Sequence, residues 1–309
     1  MFSQYFGHYL LNSGLITAEQ LKEALEKQGT THVKIGVMAV DEGYMTASQV
    51  EEVHEKQRQM DKRFGEIAVE LGYLTDEQVN QMLSAQKQDH LLLAQALVDQ
   101  GFMTIEQYSS ALSDYKVKHS LTDDKFEAIK SGDIEALVEN SINIMDLGNK
   151  DYIIQYISLF AKNIIRFIDN QVYLEVHGLD QPFNYDWVVH QDIVGEKTLY
   201  TAIAANEDVF LEIASAYAEE QLTEIDELAK ASVSEFLNLH NGIFLVNMSN
   251  QGCELEMKPQ QVTHHSEIQG EATSYILKVQ TTKGTFSLLL SQNLEKIHIH
   301  SIDDSQAFA

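Results

Sequence analysis

We expect an α+β protein in which an all-α front half precedes a domain of helices packed on a mostly antiparallel sheet. Two observations predict this class. Glycines recur every 29 residues through the first 115 residues, and then the repetition stops. From Asp151 onward, short apolar runs with polar borders alternate with helical patterns, which is typical of mixed helices and strands. A chain of 309 residues has room for both domains.

The front half contains four copies of one unit. A first glycine series is Gly7, Gly36 and Gly65, with Ala94 in the fourth place, and a second series is Gly14, Gly43, Gly72 and Gly101. Behind each glycine of the second series begins a Thr-x-x-Gln pattern that predicts a helix cap: Thr17 to Gln20, Thr46 to Gln49, Thr75 to Gln78 and Thr104 to Gln107. Each unit is therefore predicted to form two short helices around a glycine turn. Because such helices are marginal alone in water, neighbouring units must stack, and we expect a helical repeat domain over residues 1–115.

Residues 116–150 lack the repeat and predict a helical connector, with helices at Asp123–Lys130 and Asp133–Glu139. Residues 151–309 form the predicted second domain. Its expected helices are Asp151–Asp169, Glu207–Ala218 and Glu224–His240. Its expected strands are Val172–Val176, Trp187–His190, Leu199–Ala204, Ile243–Asn247, Glu254–Met257, Tyr275–Thr281 and Thr285–Leu290, the last two joined as a hairpin.

Composition excludes several functions. The chain has 21 Lys and Arg against 47 Asp and Glu, a formal charge of −26, which would repel nucleic acid. The acidity either attracts a basic partner surface or only keeps the chain soluble. A single cysteine, no basic leader and no apolar run of about 20 residues favour a cytoplasmic protein without a membrane span. No clustered ligands predict a bound metal, and no phosphate loop or nucleophile motif appears.

The segment that begins at Glu227 holds the most suggestive chemistry, because it places Glu235 and Asn238 three residues apart on one helix. The expected apolar stripe of this helix is Ile225, Leu228, Ala229, Ser232, Phe236, Leu239 and Ile243. Glu235 and Asn238 fall away from that stripe, among small residues that would let a partner approach. A carboxylate could pair with a partner's cation, and an amide could orient a water molecule.

The spacing alone does not establish a site. Glu77 and Asn80, in the third repeat unit, have the same spacing and read as ordinary helix surface. The spacing therefore allows two interpretations of Glu235 and Asn238: two solvated polar residues, or a polar pair that acts on another molecule.

The segment SEFLNLHNG at residues 234–242, together with the order of elements over residues 151–291, resembles the CheC/CheX family of chemotaxis phosphatases. The resemblance implies a CheX-like fold and dephosphorylation of a CheY-like response regulator. By position, Glu235 would dock on a lysine of the regulator and Asn238 would orient water against its phosphoaspartate. The regulator would supply Mg²⁺, so the chain would need no cofactor of its own. The resemblance also implies a homodimer that pairs through the sheet.

The repeats resemble the N-terminal domain of type II secretion and pilus ATPases, including the MshEN form that binds cyclic di-GMP. The matching motif starts that keep a cation are Lys34-Ile35-Gly36 and Arg63-Phe64-Gly65. The resemblance implies a cyclic di-GMP site at these residues, since their cations would accommodate a dianion. Otherwise the repeats are a protein-docking module with a solvated basic edge.

Together these features predict a signalling phosphatase that its repeat domain regulates or localises. The alternative is a catalytically inactive scaffold that binds response regulators or cyclic di-GMP. In that alternative, Ala231 and the position of Pro259, which depart from the phosphatase pattern, mark lost activity.

Overall fold

The computed structural model describes residues 1–84, 89–141, 150–178, 183–270, 274–294 and 297–301. The chain forms two compact units, Met1–Ala136 and Leu137–Ala309. The first unit contains the predicted repeat domain and the first part of the predicted connector at 116–150. Residues 142–149 of that connector lie outside the described residues.

The first unit is built from short helices in pairs. The described helices that begin in this unit are α1 (Phe2–Asn12), α2 (Ala18–Gln28), α3 (Ile35–Asp41), α4 (Ala47–Gln57), α5 (Phe64–Glu70), α6 (Asp76–Ser84), α7 (Asp89–Asp99), α8 (Ile105–Lys118), α9 (Asp123–Lys130) and α10 (Ile134–Ser141). The helices predicted at Asp123–Lys130 and near Asp133–Glu139 are thus present as α9 and α10.

All four predicted capping boxes are present. In each, the threonine amide donates to the side-chain oxygen of the glutamine three residues later, at 2.8 or 2.9 Å. The glutamine amide in turn donates to the threonine hydroxyl at 3.1 or 3.2 Å. Each box satisfies two amides that the first helical turn leaves unpaired, which fixes where the second helix of every unit begins.

The two glycine series have different physical roles. Gly14, Gly43, Gly72 and Gly101 all have φ between 68° and 72°, the left-handed region that only glycine enters without strain. In the first series, a Cβ on Gly36 would lie 2.8 Å from Val50, and a Cβ on Gly65 would lie 3.0 Å from Val79. These glycines therefore let the two helices of a unit approach closely.

Beyond the end of α10, the described residues of the second unit form three helices and one sheet. Its elements are α11 (Lys150–Phe167), β1 (Tyr173–Gly178), β2 (Phe183–Gly195), β3 (Leu199–Ala205), α12 (Glu207–Ala218), α13 (Glu227–Asn250), β4 (Leu255–Met257), β5 (Gln261–Gly270), β6 (Ser274–Thr281), β7 (Gly284–Ser291) and β8 (Ile297–Ser301). The sheet order is β1-β6-β7-β3-β2-β5-β8, with β4 paired to β2. Every described strand pair is antiparallel, including the predicted hairpin of β6 and β7, so the α+β class is confirmed.

The core of this unit lies between the sheet and its helices. Strand β3, at the centre, is buried at every position. Helix α13 packs against β2, while α11 and α12 both pack against α13. Although α13 has 24 residues, no helix in the described part of the chain is both long and apolar enough to cross a membrane.

One predicted strand was wrong. Residues Ile243–Asn247 continue α13, because Phe244 and Met248 extend the buried face of that helix at helical spacing. Gly242 does not end the helix, which continues to Asn250; Gly252, where φ is 80°, follows its end. Strands β5 and β8 were not predicted, since their many polar residues hide the alternation typical of a strand.

Gly72→Ala should lower the free energy of unfolding of the first unit by about 1 kcal/mol, because the new side chain must adopt a left-handed backbone. Gly29→Ala is the matched control: a Cβ there also meets open space, but φ is −65°. Urea titration of the full chain, followed by circular dichroism, would compare the two. Equal losses of stability in both variants would contradict the role assigned to the turn glycines.

Candidate functional site

Glu235 and Asn238 lie side by side on α13. The helix is anchored at its start by Asp226, whose carboxylate accepts the amide of Ala229 at 2.9 Å. Glu235 is exposed to solvent and Asn238 is half-buried. The pair thus lies at the edge of the buried face, with the carboxylate reaching solvent and the amide reaching both solvent and protein.

Small side chains surround the pair along one strip of α13, defined by Ala231, Glu235, Asn238 and Gly242. Ala231 is exposed and Gly242 is partly exposed. The nearby Ser234 hydroxyl donates to the carbonyl of Lys230 at 2.7 Å, so it turns towards its own helix. A partner surface could therefore approach this strip closely.

The buried face of α13 differs from the predicted stripe. Ala229, Ser232 and Phe236 are buried as expected, but Leu228 is 47% exposed. The face instead includes Val233, Leu237, His240, Asn241 and Phe244. The prediction centred the stripe on aliphatic residues, whereas this helix also buries a histidine and an amide.

Gln191 of β2 connects Asn238 to the protein interior. Its side chain is 2% exposed, and its Nε2 donates to Asn238 Oδ1 at 3.2 Å and to the carbonyl of Lys258 at 2.9 Å. Because a backbone carbonyl only accepts, Gln191 must turn its NH₂ group towards Lys258. The same NH₂ group faces Asn238, which consequently presents its oxygen inwards and its own NH₂ group towards the exposed side.

Asn241, one turn further along α13, is the next member of this hydrogen-bond network. Its Nδ2 donates to Gln191 Oε1 at 2.9 Å and to Thr201 Oγ1 at 3.0 Å, and its Oδ1 accepts from the Tyr156 hydroxyl at 2.7 Å. The Thr201 hydroxyl donates to the backbone carbonyl of Gln191 at 2.7 Å. Donors and acceptors agree at every link, so the network permits one orientation of the Asn238 amide.

His240, next to Asn241 in the chain, is also buried and carries no charge. Its Nδ1 lies 3.0 Å from Asn163 Nδ2, and its ring meets Tyr156 edge-on with the centroids 4.4 Å apart. Complete burial lowers the pKa of His240 to about 3. The imidazole is therefore neutral at physiological pH and serves packing rather than proton transfer.

The Glu235 carboxylate is available for pairing. In the described part of the chain it makes no hydrogen bond or ion pair. Burial and, to a smaller extent, the negative charge of Glu235 raise the pKa of Tyr217. An incoming cation would meet an unpaired carboxylate here.

The second Glu-x-x-Asn copy provides an internal comparison. Glu77 and Asn80 lie on α6 and both are exposed. No side-chain hydrogen bond of Asn80 occurs among the described residues, whereas Asn238 is fixed by Gln191. The two copies share a spacing but differ in whether the amide is held in place.

The predicted nucleotide residues come together in the first unit. Phe64 would lie 3.3 Å from a Cβ on Gly36, and Ile35 would lie 3.7 Å from one on Gly65, so the two motif starts are in contact. Arg63 is exposed, but Lys34 Nζ is paired with Asp99 Oδ1 at 2.7 Å. One of the two predicted cations is therefore partly neutralised. Over the described residues, no group of three His, Cys, Asp or Glu is arranged to bind a metal.

Comparison with known proteins found similarity only among solved structures. No family model and no curated protein matches the chain. The chemotaxis protein CheX from Desulfovibrio desulfuricans is 14% identical over 46% of this chain and 99% of its own, with a TM-score of 0.38. A CheC-like superfamily protein from Shewanella sp. PV-4 is 19% identical over 48% of this chain and 97% of its own, with a TM-score of 0.36.

A third similar structure is the CheX–CheY–BeF₃–Mg²⁺ complex from Borrelia burgdorferi. It is 15% identical over 48% of this chain and 98% of that chain, with a TM-score of 0.36. At these TM-scores the likeness does not assign the chain to a family.

Gln191→Leu should lower the free energy of unfolding of the second unit by about 2 kcal/mol, because it leaves buried polar partners unsatisfied. Trp187, the single tryptophan, lies in this unit and reports its unfolding by fluorescence. Gln251→Leu is the control: Gln251 is exposed and its side chain bonds only Gln155 in the described structure, so the loss of stability should stay within about 0.5 kcal/mol. Equal effects of the two substitutions would contradict the network.

Proposed function

We propose that the second unit dephosphorylates a CheY-like response regulator through Glu235 and Asn238. One observation carries the proposal: Gln191 holds Asn238 by its oxygen, and the Asn238 NH₂ group is turned outwards beside the unpaired carboxylate of Glu235. A fixed amide at an accessible, small-residue surface can act on another molecule, which a free surface amide does poorly. The choice of a response regulator follows the resemblance of residues 234–242 to the CheC/CheX motif.

In this mechanism Glu235 binds and Asn238 positions. The Glu235 carboxylate pairs with a lysine of the regulator and sets the register of the two proteins. An Asn238 N–H donates to one lone pair of a water molecule, leaving the other lone pair for attack on phosphorus. Because Gln191 already occupies the Asn238 oxygen, the donor half of the amide performs this task.

The remaining chemistry belongs to the regulator. Hydrolysis of an aspartyl phosphate requires neutralisation of the phosphoryl oxygens, which the regulator's Mg²⁺ supplies. The attacking water becomes part of inorganic phosphate, and the aspartate leaves as a carboxylate. This unit would contribute only alignment of the water, so a nucleophile or metal of its own is not needed.

The scaffold alternative uses the same surface without hydrolysis. Glu235 would still dock a regulator, while Ala231 and the position of Pro259, which depart from the phosphatase pattern, would mark lost activity. Binding without faster dephosphorylation separates this alternative from the phosphatase. Pairing of two copies through the sheet likewise stays a prediction.

Asn238→Ala should lower the rate of phosphate loss from the cognate regulator on the order of a hundredfold, because it removes the donor that holds the water. The regulator is phosphorylated with acetyl phosphate, and its decay is followed with and without the full chain. Asn80→Ala, which alters the copy of the motif on α6, should leave the rate unchanged.

Glu235→Ala supplies the complementary control in the same assay. It should raise KM more than it lowers kcat, because it weakens docking rather than alignment. Undiminished phosphate loss with Asn238→Ala would remove the catalytic assignment. Binding of the regulator without any acceleration by the unaltered chain would favour the scaffold.

We propose cyclic di-GMP as a second ligand, bound in the first unit at Lys34–Gly36 and Arg63–Gly65. The contact between the two motif starts supports this proposal, since it brings both cations to one region of the unit. Arg63 is the stronger candidate for phosphate binding because Lys34 already pairs with Asp99. Binding would require Lys34 to exchange that partner for a phosphate.

Calorimetric titration with cyclic di-GMP should give saturable heat that Arg63→Ala weakens about tenfold, because it removes a charge-assisted contact. Arg166→Ala changes the net charge equally in the second unit and should leave the affinity unchanged. Absence of heat at ligand concentrations of tens of micromolar would leave the repeats as a protein-docking module.

A further inference from the structure

The first unit contains a cavity of about 520 Å³ between α3, α7, α8 and α9. This volume falls within the roughly 300–1,000 Å³ of small-molecule sites. Its walls are mainly apolar, and they include Val37, Val40, Val98, Leu112 and Phe126. The cavity is lined by none of the residues proposed for phosphatase action or for cyclic di-GMP.

Asp41 places a buried carboxylate at this cavity. Its side chain is 4% exposed, and its Oδ2 lies 3.2 Å from His90 Nε2 and 3.3 Å from Lys130 Nζ. Its other oxygen, Oδ1, is buried without a hydrogen-bond partner among the described residues. Burial by itself would raise the pKa of Asp41, but hydrogen bonds and charges from His90 and Lys130 bring the pKa below its ordinary value.

The unpaired oxygen and its neighbours define the chemistry of a ligand. Oδ1 can only accept, so a ligand that reaches it through a shift of the Asp41 side chain must donate a hydrogen bond to it. Lys130 pairs with both Asp41 and Glu127, and Lys116 also lines the cavity. These two cations balance the two carboxylates, so the cavity favours neither a cation nor an anion. A neutral donor such as a hydroxyl or an aromatic N–H satisfies both conditions.

We propose that this cavity binds a neutral, mainly apolar small molecule whose single hydrogen-bond donor reaches Asp41 Oδ1. The apolar walls take up the body of the molecule, and the buried carboxylate selects the donor. The first unit would thus be a small-molecule receptor, independent of the phosphatase activity proposed for the second.

The probe N-phenyl-1-naphthylamine fits this description, because it is aromatic and carries one neutral N–H. Its fluorescence should rise saturably at one molecule per full-length chain. Val98→Trp, which fills the cavity from α7, should remove the response. Leu83→Trp introduces the same side chain at an exposed position of the same unit and should retain it. Circular dichroism checks that both variants remain folded.

Displacement of the probe from the unaltered protein tests the selection of a neutral donor without any substitution. Octan-1-ol should displace it about tenfold more effectively than octylammonium or octanoate, because only the alcohol donates without a charge. Asp41→Asn should reduce this preference. No saturable probe response, a response that persists in Val98→Trp, or equal displacement by the three octyl compounds would each overturn the proposal.

Discussion

The second unit depends on one buried network of hydrogen bonds, which runs from Tyr156 through Asn241 and Gln191 to Asn238. Burying amides costs free energy unless every donor and acceptor is paired, so the network constrains how α13 lies on β2. A small rotation of the helix would break several links together. The same constraint that sets the packing of the helix therefore also sets the direction of the one amide at its exposed edge.

Local features of the fold were predictable from the sequence, because their causes lie within a few residues. Each capping box joins positions three apart, and each turn glycine acts through its own φ. The course of α13 was harder to predict: Ile243–Asn247 is apolar enough for a strand, and only contacts with α11 and the sheet favour the helix. Tertiary packing decided that segment.

The candidate functional residues also divide into those with a local sequence signal and those that only tertiary contacts reveal. The sequence located Glu235 and Asn238, but it could not distinguish them from Glu77 and Asn80. The distinction comes from Gln191, which is 47 residues from Asn238 in the chain and carries no local signal of its role. Likewise, Asp41 and Lys130 are 89 residues apart in the chain, so only the three-dimensional structure reveals that they pair at a buried site.

The distance along the chain between contacting residues also differs between the units, and this bears on how the protein is made. In the repeats, caps and turns close within a few residues, but α1 and α2 also pack on α7, so the repeat domain can fold once its fourth repeat has left the ribosome. Strand β1, by contrast, pairs with β6, and Tyr173 meets Gln280 only after most of the chain has been synthesised. The repeats can thus be folded while the edge of β1 still awaits its partner, and during that interval exposed strands are open to mispairing.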